Sequence, residues 1–137
     1  ASLKAAIARH GLRDNIIILG LIPYSHVFPL MRQSLAVLQP SLFEGWSTTV
    51  EEAKSVGKPM LLSDIPVHRE QAQPPLKARF FDPHDPRQLA QCLVEVHETQ
   101  SAGPDVHRER LAQEQLVERT RQFGGAFVHL ARSAARD

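Results

Sequence analysis

The chain has 137 residues, 42% apolar and 23% charged, with seven Gly and ten Pro, which is the composition of an ordinary globular domain. Sixteen Lys and Arg against fifteen Asp and Glu leave a net charge of +1, which excludes a protein held on a nucleic acid by counterion release. Cys92 stands alone, which excludes an internal disulfide and a cysteine zinc cage, and the longest apolar run, Ile16 to Leu21, is far short of the ~20 residues that span a bilayer.

The chain opens Ala1-Ser2-Leu3-Lys4, without Met and inside a helical pattern, and reads as a piece of a longer protein of a reducing compartment. Leu3 and Ile7 at helical spacing, closed by Gly11, predict the tail of a helix. Asn15 to Leu19 is a β-branched run ended by Gly20, the pattern of a buried parallel strand. Ser25 is the expected cap of a helix over residues 26–33, with Val27, Leu30 and Met31 inward and Pro29 in the first turn. Leu35 to Leu38 reads as a second strand. Thr48 with Glu51 and Thr49 with Glu52 form overlapping capping boxes, so a helix is expected to start near 47–49 and to stop at Gly57. Pro59 to Leu62 is a third strand, Ser63 to Glu70 a turn or short helix, and Ala78 to Phe81 a fourth strand. Asp85 with Pro86 opens a helix whose inner face is Leu89, Cys92, Leu93 and Val96. Ser101 to Pro104 is a linker, and a long polar helix follows from Val106, with a break expected at Phe123-Gly124-Gly125.

Helix and short strand alternate without a hairpin signal, which implies an α/β fold, a Rossmann-like parallel sheet flanked by helices. Ligands of such sheets sit beyond the carboxyl ends of the strands, where loops enter helices. Two loops qualify, residues 20–25 and 40–49. In the second, the free N–H groups of a helix start favour a phosphate or diphosphate, and Ser47, Thr48 and Thr49 add hydroxyl donors. Glu52, one turn inside the helix, can accept from two vicinal hydroxyls, as in a ribose, and Glu44, on the other side, from hydroxyls of a hexose. Helix capping alone accounts for the same residues equally simply.

Glu44 and Glu52 fit the Glu-x7-Glu signature of retaining nucleotide-sugar glycosyltransferases with the two-domain GT-B fold. Leu38-Gln39-Pro40-Ser41-Leu42-Phe43-Glu44-Gly45 is similar to the strand and loop that precede it in glycosyltransferase family 4. Glu52-Ala53, Gly57-Lys58-Pro59 and Ser63-Asp64-Ile65-Pro66 fall where that family has similar residues. Leu19-Gly20-Leu21-Ile22-Pro23 resembles its base-contacting loop, and Phe80-Phe81-Asp82-Pro83-His84-Asp85-Pro86 its Phe-Asp-Pro segment. The resemblance implies a partial C-terminal domain of a GT-B enzyme over residues 1–137, transferring a hexose from a UDP- or GDP-sugar to an acceptor hydroxyl with retention. It implies Glu44 at the donor sugar as the catalytic-site carboxylate, Gly45, Trp46, Ser47, Thr48 and Thr49 along sugar and diphosphate, Glu52 at the ribose, and Gly20, Leu21 and Ile22 at the base. No metal and no cofactor beyond the nucleotide sugar is implied. The acceptor, a glycan or lipid-linked hydroxyl, would be bound mainly by an N-terminal domain outside this chain, in bacterial surface polysaccharide or glycoconjugate synthesis. The setting implied is cytoplasmic, with peripheral contact at the inner face of a membrane.

The chain departs from the family in two ways. Gly45-Trp46-Ser47-Thr48-Thr49 stands where many relatives have Gly-Phe-Gly-Leu-Pro, and the family's first strand, helix and strand, with their diphosphate-binding Arg and Lys, do not precede Ala1. A fragment that binds donor without turnover is therefore expected. Against these functional readings, Trp46 is expected to pack, Glu51 to serve as a capping partner, Lys54 and Lys58 to be solvated, and His68 and Arg69 to lie on the surface. Arg108, Arg110, Arg119, Arg121, Arg132 and Arg136 alternate with Glu109, Glu114 and Glu118 as a solvated helix face. A nucleotide-sugar epimerase and a non-catalytic nucleotide-binding or assembly module of the same fold are the alternatives.

Overall fold

The computed structural model describes residues 2–73 and 76–135; Ala1 and Arg136, both named above, lie outside them. Helix α1, Leu3–Arg9, is capped by Ser2, whose side chain accepts from Ala5 N–H, and ends at Gly11 with φ +67°, as expected. A 3-10 turn, Tyr24–His26, leads into α2, Val27–Gln33. The strands β1 (Val37–Gln39), β2 (Met60–Ser63) and β3 (Ala78–Phe81) form one parallel sheet in the order β1-β2-β3. Between them lie α3, Thr48–Ser55, and α4, Pro66–Gln71; α5, Pro86–Thr99, and α6, Val106–Ala134, follow.

β2 is central and buried along its whole length, because both of its edges are paired and both of its faces are covered. Alternation along it builds two clusters. Met60 and Leu62 pack with Val50, Ala53 and Ala72 under α3 and α4, and Leu61 packs with Phe81 and Val96 under α5. The α/β parallel architecture read from the sequence is therefore present.

Several local expectations fail. Asn15 to Leu19 is not a strand: the N–H groups of Asn15 and Ile16 both turn back to Leu12 O, and Ile17 is 78% exposed. β-branched residues supply propensity, but a strand needs a ladder partner, and among the described residues none lies beside this segment. Leu35 and Ala36 do not join β1; they pack onto the Leu61–Phe81–Val96 cluster, and the ladder begins where Val37 N–H meets Pro59 O at 2.9 Å.

Ser25 does not cap α2, because it lies inside the 3-10 turn, and Leu30 and Leu93 are 47% and 45% exposed rather than inward. The capping boxes of Thr48 and Thr49 give way to Ser47, whose Oγ accepts from Val50 N–H. Asp85 caps α5 with Pro86 at its first position, as expected.

α6 runs unbroken through Gly124 and Gly125. Glycine costs a helix about 1 kcal/mol relative to alanine but keeps its N–H, so the ladder continues where no clash or missing donor interrupts it. In the first turns of α6 Arg110 and Glu114 are exposed as expected, but Arg108 and Glu109 are half-buried. Arg108 donates to Gln100, and Glu109 accepts from Nε and Nη2 of Arg32 at 2.7 and 3.0 Å. From residue 121 to the end of α6 the helix is exposed, Arg121 and Arg132 included, as expected.

Candidate functional site

The carboxyl ends of β1 and β2 deliver Gln39 and Ser63 side by side, and the loops leaving them are tied together. Ser63 Oγ donates to the carbonyl of Ser41 at 2.5 Å. Glu44 sits in the first of these loops with its carboxylate turned inward. Its Oε1 accepts from Gln39 Nε2 and from Ser41 Oγ, the latter at 2.5 Å. Burial pushes the Glu44 carboxyl up, but hydrogen bonds from Ser41, Ser47 and Gln39, with the His68 ring nearby, outweigh it and hold the group below its ordinary range. Glu44 is therefore an ionised acceptor held in a polar cradle.

His68, expected on the surface, is completely buried. Pro66 fixes the start of α4 so that His68 and Gln71, three residues apart, share its inward face. The ring Nδ1 lies 2.9 Å from Ser63 O and 3.2 Å from Ser63 Oγ, and Nε2 lies 3.5 Å from Glu44 Oε2. Gln71 brackets the start of α3. Its Oε1 accepts from Ser47 N–H at 3.0 Å, and its Nε2 donates to Ser47 O at 3.0 Å and to Glu51 at 2.9 Å. Ser47 thus spends both its N–H and its Oγ within the protein. The N–H groups of Thr48 and Thr49, first in α3, have no intrahelical carbonyl to meet.

Gly45 borders open space, with no atom within 4 Å of where a Cβ would stand. Trp46, expected to pack, is 56% exposed in this loop. Glu52 lies one turn into α3 and accepts a 2.9 Å hydrogen bond from Tyr24 Oη. That bond couples Glu52 to the segment that follows Gly20, Leu21 and Ile22. Gly20 takes φ +68°, and Leu21 projects fully into solvent.

Lys54 and Lys58 are buried, against the solvated expectation. Lys54 pairs with Glu51 at 2.9 Å, so Glu51 is an ion-pair and hydrogen-bond partner rather than a capping one. Lys58 Nζ donates to the carbonyls of Ser34 and Gly103, both at 2.7 Å, and reaches no part of the loop. Arg69 is on the surface as expected, held by Asp64 and lying 4.0 Å over the Phe80 ring. Tyr24, His68 and Gln71 were missed from sequence. The spacing of His68 and Gln71 behind a helix-starting proline was the available signal for two of them, and for Tyr24 it was its place in the loop over residues 20–25. Among the described residues, no group of His, Cys, Asp and Glu is placed to hold a metal ion, and no helix is long and apolar enough to cross a membrane.

Three parallel strands with helices on both faces, and a carboxylate loop that runs from the carboxyl edge into a helix, make a Rossmann-like α/β domain, the class whose ligands bind at that edge. The family model for glycosyl transferases group 1 matches residues 1–116, and the chain belongs to that family. Comparison with curated proteins and with solved structures gives no significant match.

Proposed function

We propose that this chain is the donor-binding C-terminal domain of a retaining GT-B glycosyltransferase of the family 4 type, using a UDP- or GDP-sugar. The observation that carries the reading is the placement of Glu44 in its cradle, immediately before α3, with Glu52 eight positions on and one turn inside the helix. In this reading Glu44 accepts from hydroxyls of the hexose. Gly45, Trp46, Thr48 and Thr49 border the sugar and diphosphate, with Ser47 buried behind them as the cap of α3; Glu52 takes the ribose, and Gly20, Leu21 and Ile22 lie at the base. The N–H groups at the start of α3 stabilise the negative charge of the departing diphosphate, and the acceptor hydroxyl attacks from the face the leaving group vacates, which retains the anomeric configuration. The acceptor is a glycan or lipid-linked hydroxyl bound mainly by a preceding N-terminal domain, and the setting is surface glycoconjugate assembly at the cytoplasmic side of a membrane.

Calorimetric titration of the full-length protein with UDP, GDP, UDP-glucose, UDP-N-acetylglucosamine and GDP-mannose tests this. Base-selective binding that Glu52→Gln loses is the expected result. Binding that neither Glu52→Gln nor Glu44→Gln affects would overturn the assignment of the site.

A further inference from the structure

We propose that His68 is a positioning residue for the donor-sugar carboxylate: with its ring anchored on Ser63, it holds a proton between Nε2 and Glu44 Oε2 and so fixes the orientation in which Glu44 meets the sugar. This rests on the donor-site reading above. A carbonyl oxygen only accepts, so the 2.9 Å contact to Ser63 O makes Nδ1 the hydrogen-bearing nitrogen. A neutral ring would then present a bare Nε2 lone pair to Oε2. Both atoms are buried, neither has a hydrogen-bond partner, and they face one another at 3.5 Å. Two acceptors shut away together are costly, whereas one proton between them, with a closure of roughly 0.5 Å, satisfies both.

The surroundings leave this to the pair. Arg69 beside His68 is taken by Asp64, and Glu51 next to Gln71 is taken by Lys54. Gln39, Ser41, Ser47 and Ser63 are neutral donors and acceptors. Oε1 accepts from two donors, as a carboxylate does, so the proton between Oε2 and Nε2 belongs to the ring that Ser63 O anchors at Nδ1. Oε1 is already fixed by Gln39 and Ser41, so His68 governs Oε2, the oxygen without a fixed donor.

The test has two arms on the full-length protein. In the first, ring nitrogen shifts of 15N-histidine-labelled protein at pH 7, with His68 assigned from the spectrum of His68→Gln, show both nitrogens protonated. In Glu44→Gln the His68 signals move to those of a neutral ring protonated at Nδ1. A bare Nε2 in the wild type overturns the proposal. In the second arm, His68→Phe weakens UDP-glucose or GDP-mannose, whichever the wild type binds, by about tenfold, while UDP or GDP stays within about twofold. His68→Gln, whose amide can still donate to Glu44, recovers most of the loss. Equal loss for nucleotide and nucleotide sugar, or no recovery with Gln, overturns the positioning role. Should His68→Phe not fold, the Gln comparison and the spectrum still decide. A wild type that binds no nucleotide, or a Glu44→Gln variant that binds nucleotide sugar normally, would sink the donor-site reading instead, and the first arm alone would then decide the shared proton.

Discussion

Tyr24 Oη donates to Glu52 Oε1 at 2.9 Å, joining the turn before α2 to the first turns of α3. The hydrogen bond to Glu52, with some burial and the negative charge of Glu52, raises the Tyr24 hydroxyl above its usual range, so it stays a donor throughout the neutral range. The edge-to-face contact of its ring with Phe28, at 5.7 Å between centroids, fixes the direction of that hydroxyl. Glu52 is thereby held in one orientation before any ligand arrives.

Tyr24→Phe keeps the ring and removes only the donor. The thermal midpoint is expected to stay unchanged, because both groups face solvent, while the affinity for UDP or GDP falls by about threefold as Glu52 loses its preset orientation. Calorimetry on the two proteins checks this; unchanged or tighter binding would count against an orienting role for Tyr24.

Gly57 takes φ +63°, and a Cβ there would stand 2.7 Å from the backbone C and O of Arg108. Gly57→Ala therefore combines left-handed strain with a clash against backbone that cannot rotate away, and about 2–4 kcal/mol of destabilisation is expected in urea unfolding. Gly124 faces open space inside α6. Gly124→Ala is expected to stabilise by about 0.5–1 kcal/mol, the opposite sign, as an unbroken helix at that position requires.

Lys58 closes α2, the residue 101–104 connection and the start of β2 around one ammonium. Lys58→Met keeps the length of the side chain but abandons the carbonyls of Ser34 and Gly103, at a cost of about 1–3 kcal/mol. Burial, together with the charges of Arg108 and Arg32, lowers the Lys58 ammonium below its ordinary value despite Glu109 and Asp105. Between that lowered value and about 10.4, the unfolded chain binds more protons than the folded one, so stability gains from Lys58 as pH rises through this window. The methionine variant is expected to lack that alkaline increment in pH-dependent unfolding.

Glu44 has the corresponding acid effect. Its folded value lies below that of the unfolded chain, so its contribution is present above about pH 4.3 and disappears as pH falls through the folded value. Thermal midpoints measured from pH 6 to pH 3 are expected to fall more steeply for the wild type than for Glu44→Gln. Parallel curves would show that the cradle does not favour the ionised form.

The order of elements from α2 to α6, the parallel sheet, the Asp85–Pro86 helix start and the loop that carries Glu44 and Glu52 are all legible in the sequence. These rest on local periodicity, capping chemistry and turn residues, which act over a few positions and are legible wherever they occur. Contacts between distant segments settle that Asn15 to Leu19 stays unpaired, that Ser47 rather than Thr48 or Thr49 caps α3, and which groups Lys58 and His68 meet in the interior. The reason is common to all three. A strand exists through its partner, a capping hydroxyl through the neighbours that compete for it, and a buried polar group through acceptors brought from distant parts of the chain. Ser34 and Gly103 are such acceptors for Lys58, and Glu44 is the distant group that faces His68; no pattern around position 58 or 68 announces them.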